Sequence, residues 1–219
     1  MARPTNASST GDTRERILRE AARLFSELGF QGASTRAITE AVGIRQPSLF
    51  HYFAGKEAIG HELIVARVSA SPLLSGGFAR SADDPAVDLF RLFRDEMAIE
   101  LGGEFDTRWL FRLPPALGEK FPAWGAAVDV ARATMDAVLR DGIAAGQFIA
   151  EDPDAVLELF DAVANEAMFW PHDTPDVPPE TIAKVQLRLV ISDPQTIAEV
   201  VARAGGMSGG PARGSGSPD

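Results

Sequence analysis

The chain has 219 residues, no cysteine, 45% hydrophobic residues and a formal net charge of −10. The lack of cysteine excludes disulfides and thiolate chemistry, and the apolar fraction is enough to build the core of one elongated or two small helical domains. We find no signal-like apolar run and no apolar stretch of bilayer length, so we expect a cytoplasmic protein without a membrane partner.

The negative charge is concentrated in the C-terminal part of the chain. Residues 1–60 hold eight Lys and Arg against six Asp and Glu, whereas residues 61–219 hold thirteen against twenty-five. A weakly basic segment can still dock on phosphates through the local placement of its cations. The overall acidity therefore does not exclude nucleic-acid binding by the N-terminal part.

The first element is a predicted helix that follows an N-terminal arm. Residues 1–12 are rich in Ser, Thr, Ala and Gly, which predicts a disordered arm. The helix should begin at Asp12 or Thr13, because Glu15 stands three residues after Asp12 in a capping-box arrangement. Gly29 should end it. The apolar stripe that should face a core consists of Ile17, Ala21, Leu24, Phe25 and Leu28.

Residues 34–53 predict two short helices joined by a tight turn. The first should run from Ser34 to Val42, with Ile38 on its buried stripe. Gly43 should end it, since a residue just past a helix C-terminus often takes a positive φ that only Gly adopts without penalty. The second helix should start with Gln46 as its cap and Pro47 at its first position.

The second helix has one apolar and one polar side. Leu49 and Phe53 should pack inward, with Phe50 near the edge of the same stripe. A helix-turn-helix leaves the N-terminal residues of its second helix free to reach base edges, where Arg pairs with guanine and Gln with adenine. DNA is therefore the partner that we expect for this side, and a helical hairpin inside a core is the alternative. The polar side carries Arg45, Gln46, Pro47, Ser48, His51 and Tyr52.

Several residues at fixed offsets make this region resemble the TetR family of transcription regulators. The match runs from about Thr13 to Leu63 without a gap. The resemblance implies a backbone contact for Thr35 and a base contact for Arg36, although an ion pair between Arg36 and Glu40 is equally open. The residues that carry the resemblance are Thr35-Arg36, Val42-Gly43-Ile44, Gln46 to Phe50, Phe53 and Lys56-Glu57-Ala58.

The resemblance also implies that Ser48, Tyr52 and Lys56 hold the phosphate backbone. A Lys at a helix N-terminus opposes the helix dipole, which indicates that an anion lies nearby. Phe50 stands where the family often has Tyr, so its ring is left for packing or for contact with a methyl group. Thr39 stands where Ala is usual, between the two short helices.

The rest of the chain predicts helices only, so we expect an all-α fold. A helix from Lys56 to Ser69 or Ala70 should complete a DNA-binding domain over residues 13–70, and a loop from Pro72 to Asp84 should separate it from a helical domain over residues 84–204. Residues 205–219 predict a disordered tail. The predicted helices of the second domain are Pro85 to Gly102, Asp106 to Leu113, Pro122 to Ala145, Pro153 to Trp170, and Glu180 to Ala204 with an interruption at Ser192-Asp193-Pro194.

The last two helical segments offer more apolar surface than a monomer is expected to cover. The resemblance implies a homodimer in which they form a four-helix bundle with a second copy, placing two recognition helices about 34–36 Å apart on a near-palindromic site. It also raises the prospect of a cavity for a small, largely apolar effector, although aromatic residues at this spacing are more often plain core. The candidate lining residues are Trp109, Phe111, Trp124, Phe160, Met168 and Phe169.

The function that we expect is sequence-specific DNA binding by a transcriptional regulator, most simply a repressor that a small-molecule effector releases from a palindromic operator. A DNA-binding regulator without an effector, whether an activator or a constitutive repressor, is the first alternative. A helical-bundle enzyme is the second, but Asp161, Glu166 and His172 do not form a recognisable catalytic set. No cofactor or metal is expected, because the three histidines have no metal-ligand spacing.

Overall fold

The computed structural model describes residues 6–81, 83–169 and 177–206, and within these ranges the chain forms α-helices, one 3-10 helix and no strand. This confirms the predicted all-α class. None of the described helices is both long and apolar enough to span a bilayer. The helices are α1 (Asn6–Gly32), α2 (Thr35–Val42), α3 (Gln46–Leu49), α4 (Lys56–Ala70), α5 (Pro85–Gly102), the 3-10 helix (Arg108–Arg112), α6 (Pro115–Gly118), α7 (Pro122–Ala144), α8 (Pro153–Met168), α9 (Pro179–Leu187) and α10 (Pro194–Gly206).

Helix α1 begins at Asn6, earlier than predicted, so residues 6–12 of the expected arm are helical and residues 1–5 lie outside the described ranges. Lengthening an existing helix adds hydrogen bonds without a new nucleation cost. Gly29 interrupts the helix as predicted, at φ 73° and ψ 157°. Leu28, placed in the buried stripe by the sequence, is exposed, because the break that follows turns Phe30 into the core instead.

Proline sets the start of many helices in the second domain. Helices α5 to α10 each have Pro as their first residue, where its missing N–H needs no intrahelical partner and its fixed φ suits a helix. Asp84 and Asp152 precede two of these prolines and accept hydrogen bonds from the backbone N–H groups of Val87 (3.3 Å) and Asp154 (3.1 Å). The Asp-Pro pairs therefore explain why α5 and α8 begin where the sequence predicted.

Helix α5 is the centre of the second domain and packs against α7, α8, α9 and α10. The final segment forms two helices separated by residues 188–193, a wider gap than the three-residue interruption expected. The apolar side chains of α10 are already largely covered within one chain, so the prediction of surplus apolar surface was wrong for α10, whereas Val185 on α9 is 46% exposed. The buried residues of α9 and α10 include Ile182, Ala183, Leu187, Ile197, Val200 and Ala204.

Aromatic rings join the N-terminal helices to the second domain. The ring centroids of Phe25 and Phe30, both from α1, lie 5.1 and 5.5 Å from that of Trp109 in the 3-10 helix. Phe121 closes the cluster at 5.0 Å from Phe30 and 5.8 Å from Trp109. The two domains therefore share one continuous apolar core. We call these four residues the aromatic cluster.

Gly60 on α4 is the point of closest packing against the aromatic cluster. A Cβ at Gly60 would lie 2.9 Å from Phe121 and 3.2 Å from Phe30. We expect Gly60→Ala to lower the free energy of unfolding by about 1–3 kcal/mol, because the buried rings have little room to move. Gly125→Ala on α7, where a Cβ would meet nothing within 4 Å, should leave it unchanged or raise it by up to about 1 kcal/mol. Urea denaturation of both variants measures the difference, and equal stability of the two would contradict this packing.

Candidate nucleic-acid interface and internal cavity

Helix α2 begins and ends as its sequence predicts. Ser34 caps its start, and the Ser34 hydroxyl accepts a hydrogen bond from the N–H of Ala37 at 3.1 Å. Gly43 ends it in the left-handed region at φ 75°, and its N–H reaches the carbonyl of Glu40 at 3.2 Å. The chain can therefore turn sharply into α3, with Ile44 partly buried at the corner.

Helix α3 differs from the prediction in its first residue and in one inward side chain. Arg45 is the N-cap, so Gln46 and Pro47 are the first two helical residues rather than the cap and the first. Leu49 is fully buried, whereas Phe50, predicted near the edge of the apolar stripe, is 54% exposed and does not pack inward. Leu49 and Phe53 are four residues apart and share one face, whereas Phe50 lies about 100° further round the axis.

The ten candidate DNA-contacting residues are all at the surface. A direct contact links the starts of the two short helices, because the Gln46 amide Nε2 donates to the Thr35 hydroxyl at 3.3 Å. The structure thus brings the beginnings of α2 and α3 together on one side of the N-terminal domain. Arg36, Arg45, Gln46, Pro47, Phe50 and His51 are exposed, and Thr35, Ser48, Tyr52 and Lys56 are half-buried.

Arg36 makes the ion pair that the sequence left open. Its Nε donates to the carboxylate of Glu40 at 2.8 Å, and this hydrogen bond raises the pKa of Arg36. Both side chains are exposed, and exposed ion pairs contribute little to stability because water competes for both charges. Arg36 can therefore exchange Glu40 for another partner at small cost.

Lys56 has different partners from those implied by the resemblance. Its Nζ donates to the carbonyls of Phe30 (2.6 Å), Ala33 (2.8 Å) and Gln31 (3.4 Å), and it lies 4.6 Å from the centre of the Phe30 ring. Burial lowers the pKa of this ammonium group. The carbonyls belong to the end of α1 and the turn after it, where intrahelical partners are missing. Lys56 thus provides the donor that these carbonyls lack.

A cavity of about 310 Å³ lies in the second domain, between α4, α5, α7, α8 and α9. Four of the six predicted lining residues border it: Phe111, Trp124, Phe160 and Met168. The other two do not line it. Trp109 belongs to the aromatic cluster, and the ring of Phe169 lies 3.3 Å from the guanidinium carbon of Arg112. Periodicity predicts that a ring is buried but not which neighbour it faces.

Sequence analysis missed a buried ion-pair group that borders this cavity. Arg67 on α4 donates through Nη2 to Glu96 at 2.9 Å and through Nε to Glu100, and the side chains of Arg67 and Glu100 are only 4% and 3% exposed. Burial raises the pKa of Glu100 despite this pairing. The sequence did contain a signal for this group. Glu96 and Glu100 lie four residues apart on the mainly apolar helix α5, and buried carboxylates need a cation nearby.

The catalytic alternative gains no support from these residues. No group of three or more His, Cys, Asp or Glu side chains that could hold a metal occurs in the described part of the chain. Asp161 lies 3.5 Å from Arg132 as an ion pair at the edge of the cavity. His172 lies outside the described residues.

Residues 17–63 match the family model described as bacterial regulatory proteins, tetR family. Among curated proteins, the chain is 40% identical over 72 residues to YdgC of Bacillus subtilis, an uncharacterised HTH-type transcriptional regulator, and this covers 30% of the chain and 37% of YdgC. It is also 40% identical over 55 residues to the HTH-type transcriptional repressor AcnR of Corynebacterium glutamicum, covering 25% of the chain and 26% of AcnR. The similarity in sequence to these two relatives therefore spans well under half of their length.

Similarity to solved structures extends over most of the chain. The crystal structure of AmtR from Mycobacterium smegmatis matches with a TM-score of 0.74 and 28% sequence identity, covering 90% of this chain and 94% of that one. The arrangement of an N-terminal helix-turn-helix domain followed by a helical domain is therefore common to both proteins.

The contacts of Lys56 predict a measurable structural contribution. Lys56→Met should lower the free energy of unfolding by about 1–3 kcal/mol, because carbonyls at the end of α1 lose a charged donor. Lys120→Met is the matched control, since Lys120 makes one exposed 3.4 Å ion pair with Glu57, and it should change stability by less than about 0.5 kcal/mol. Chemical denaturation measures both variants. A Lys56→Met protein as stable as the control would rule out the anchoring contribution.

Proposed function

We propose that this chain, whose residues 17–63 match the tetR family of bacterial regulatory proteins, is a sequence-specific DNA-binding transcriptional regulator. The observation that carries the proposal is the outward-facing start of α3, with Arg45, Gln46 and Pro47 all exposed while Leu49 is fully buried beneath them. A recognition helix needs this combination, because it must be held rigidly from one side and read base edges from the other.

The exposed residues divide into two groups by the contacts that they suit. Arg45 and Gln46 have side chains that pair with guanine and adenine in the major groove, and the exposed ring of Phe50 suits a thymine methyl. Thr35 stands at the start of α2, where free backbone N–H groups and the positive helix end favour a phosphate. In this proposal Arg36 exchanges Glu40 for a base, and Ser48, His51 and Tyr52 complete the contacts around it.

Lys56 supports DNA binding in two ways in this proposal. Its charge lies at the start of α4, next to the turn that follows α3, and so favours phosphate contacts nearby. Its hydrogen bonds to the end of α1 also hold that helix against α4. A direct contact with a phosphate would break one of the hydrogen bonds from Lys56 to these carbonyls. Holding α1 against α4 is therefore the larger of the two contributions that we propose for Lys56.

A homodimer is the assembly that we propose. Leu159 on α8 is 53% exposed and Val185 on α9 is 46% exposed, and these two helices contact each other. A second copy placed by a two-fold axis would cover both side chains with the same surface of its own. Two recognition helices related by this axis would then reach half-sites of a near-palindromic operator.

The cavity supports control of DNA binding by a small effector. Helix α4 carries Lys56 beside the DNA-binding surface and Arg67 at the cavity, and eleven residues of helix separate them by roughly 16 Å. An effector that binds more tightly when α4 has shifted will lower the affinity of the protein for DNA. Bound DNA must then lower the affinity for the effector by the same factor. Since the similar protein AcnR is a repressor, we propose release from the operator as the outcome.

Base recognition is tested on an operator selected from random or genomic fragments. We expect Gln46→Ala and Arg36→Ala each to weaken operator binding by about 1–3 kcal/mol and to relax preference at particular base pairs, with little change on random DNA. Gln195→Ala, at an exposed residue of α10, is the control. Titrations at fixed salt measure the affinities, and an equal loss on operator and random DNA for Gln46→Ala would count against base contact.

The dimer surface is tested by placing charge on it. Leu159→Glu should shift the protein from dimer to monomer and reduce operator affinity, because two carboxylates would face each other across the axis. Val65→Glu on α4, where the native side chain is 61% exposed, should leave the dimer intact. Sedimentation velocity measures the mass of both variants, and a Leu159→Glu dimer as stable as the control would exclude this surface.

A further inference from the structure

Two deeply buried polar atoms belong to residues that line the cavity and have no hydrogen-bond partner within the described part of the chain. They are Nη1 of Arg67 and Oε1 of Gln186. Gln186 is 1% exposed, and its amide Nε2 donates to the carbonyl of Phe160 at 3.2 Å, so its oxygen is the free end. Leaving a buried donor or acceptor unpaired is unfavourable, because the group has lost its hydrogen bonds to water and gained none in the protein. A group that pairs with both atoms would recover this cost.

The charges around Arg67 restrict what such a group can be. One guanidinium faces two carboxylates, Glu96 and Glu100, and the hydroxyls of Ser71 and Thr107 donate to these carboxylates as well. With all three side chains ionised, this buried set carries one net negative charge. A third carboxylate would add a second uncompensated charge in an apolar surrounding, which is strongly unfavourable.

Among the described residues that line the cavity, Arg132 is the one other cation, and two carboxylates already neutralise it. Arg132 borders the cavity but already pairs with Glu158 at 2.7 Å and with Asp161 at 3.5 Å. An ammonium group does not satisfy Arg67 either, because Nη1 is a donor and needs an acceptor. The polar end of a ligand that meets both unpaired atoms is therefore neutral, with an acceptor oxygen and a donor.

The walls and size of the cavity describe the rest of the ligand. At about 310 Å³ it lies at the lower end of ligand cavities, which span about 300–1,000 Å³. Its walls are mainly apolar, and so suit a compact hydrocarbon or aromatic body. The principal apolar lining residues are Leu92, Phe93, Phe111, Trp124, Phe160 and Met168.

We propose that the cavity binds a compact, uncharged molecule whose apolar body packs on the aromatic walls and whose polar end accepts a hydrogen bond from Arg67 and donates one to Gln186. A carboxamide is the simplest group of this kind. Such a ligand joins α4 to α9, since Arg67 and Gln186 lie on those two helices. That the ligand acts as the effector rests on the proposed function, whereas its binding does not.

Matched probe series test the chemistry directly. Each series has one apolar body, which is phenyl, cyclohexyl or pentyl, and carries in turn an amide, a carboxylate or an amine at the same chain length. Each compound is titrated into the full chain and followed by calorimetry and by ligand-observed NMR. We expect amides to bind about tenfold or more tighter than the carboxylates and amines of the same body, since each neutral hydrogen bond contributes up to about tenfold. Tighter binding by the carboxylates or the amines, or no binding by any series, overturns the proposal.

Two variants locate the probe, one outside the ion-pair group and one that removes a single charge from it while Glu100 still pairs with Arg67. Gln186→Met removes the unpaired oxygen at similar volume and should weaken amide binding by about tenfold, whereas Gln195→Met, at an exposed position of α10, should not change it. Glu96→Gln removes one negative charge and should let the matching carboxylate bind about tenfold tighter than it binds the unaltered chain. Unchanged amide affinity in Gln186→Met, or no gain for the carboxylate in Glu96→Gln, contradicts the proposed contacts.

DNA binding by the ligand-free protein separates this inference from the proposed function. If the protein selects an operator but amides show no preference for the cavity, the ligand class is wrong and the regulator proposal stands. If amides bind as expected but no double-stranded sequence is preferred at low salt, the regulator proposal fails and the cavity assignment stands. Amide-dependent loss of operator binding supports both.

Discussion

Helix α4 is bound near each end, through one of its own cations, to a different helix. These two contacts fix the position of the N-terminal domain relative to the second domain. Near its start, Lys56 binds carbonyls at the end of α1. Near its other end, Arg67 pairs with Glu96 and Glu100 of α5. Because a partly or fully buried charge is costly without its partners, neither end can move alone without losing them. A shift of α4 at the cavity therefore also strains its contacts with the end of α1.

The aromatic cluster adds a second connection of a different kind. Phe25 and Phe30 of α1 meet Trp109 and Phe121 of the second domain edge to face or stacked. Such packing is dense and has few alternative arrangements. Together with the two ends of α4, it joins α1 to the helices of the second domain.

Much of the fold was predictable because local chemistry decides it. Gly43 had to take a positive φ for α2 to turn into α3, and the Asp-Pro pairs at Asp84 and Asp152 had to start helices wherever they occurred. The candidate DNA-contacting residues were predictable as a set for the same reason, since a short Pro-containing helix with one polar side must expose that side. Phe50 escaped prediction because a four-residue helix has too few turns to define the edge of a stripe.

The sequence alone determined the helical class, the position of the helix-turn-helix and its resemblance to a family, since periodicity, capping residues and motif spacing are local properties. Only the tertiary structure decided what Lys56, Trp109 and Arg67 contact, because their partners lie 12 to 84 positions away along the chain. It alone showed that Arg67 and Gln186 border one cavity with unpaired atoms. Long-range partners depend on how helices pack, and a stripe of apolar residues specifies that a helix packs but not against which side chains.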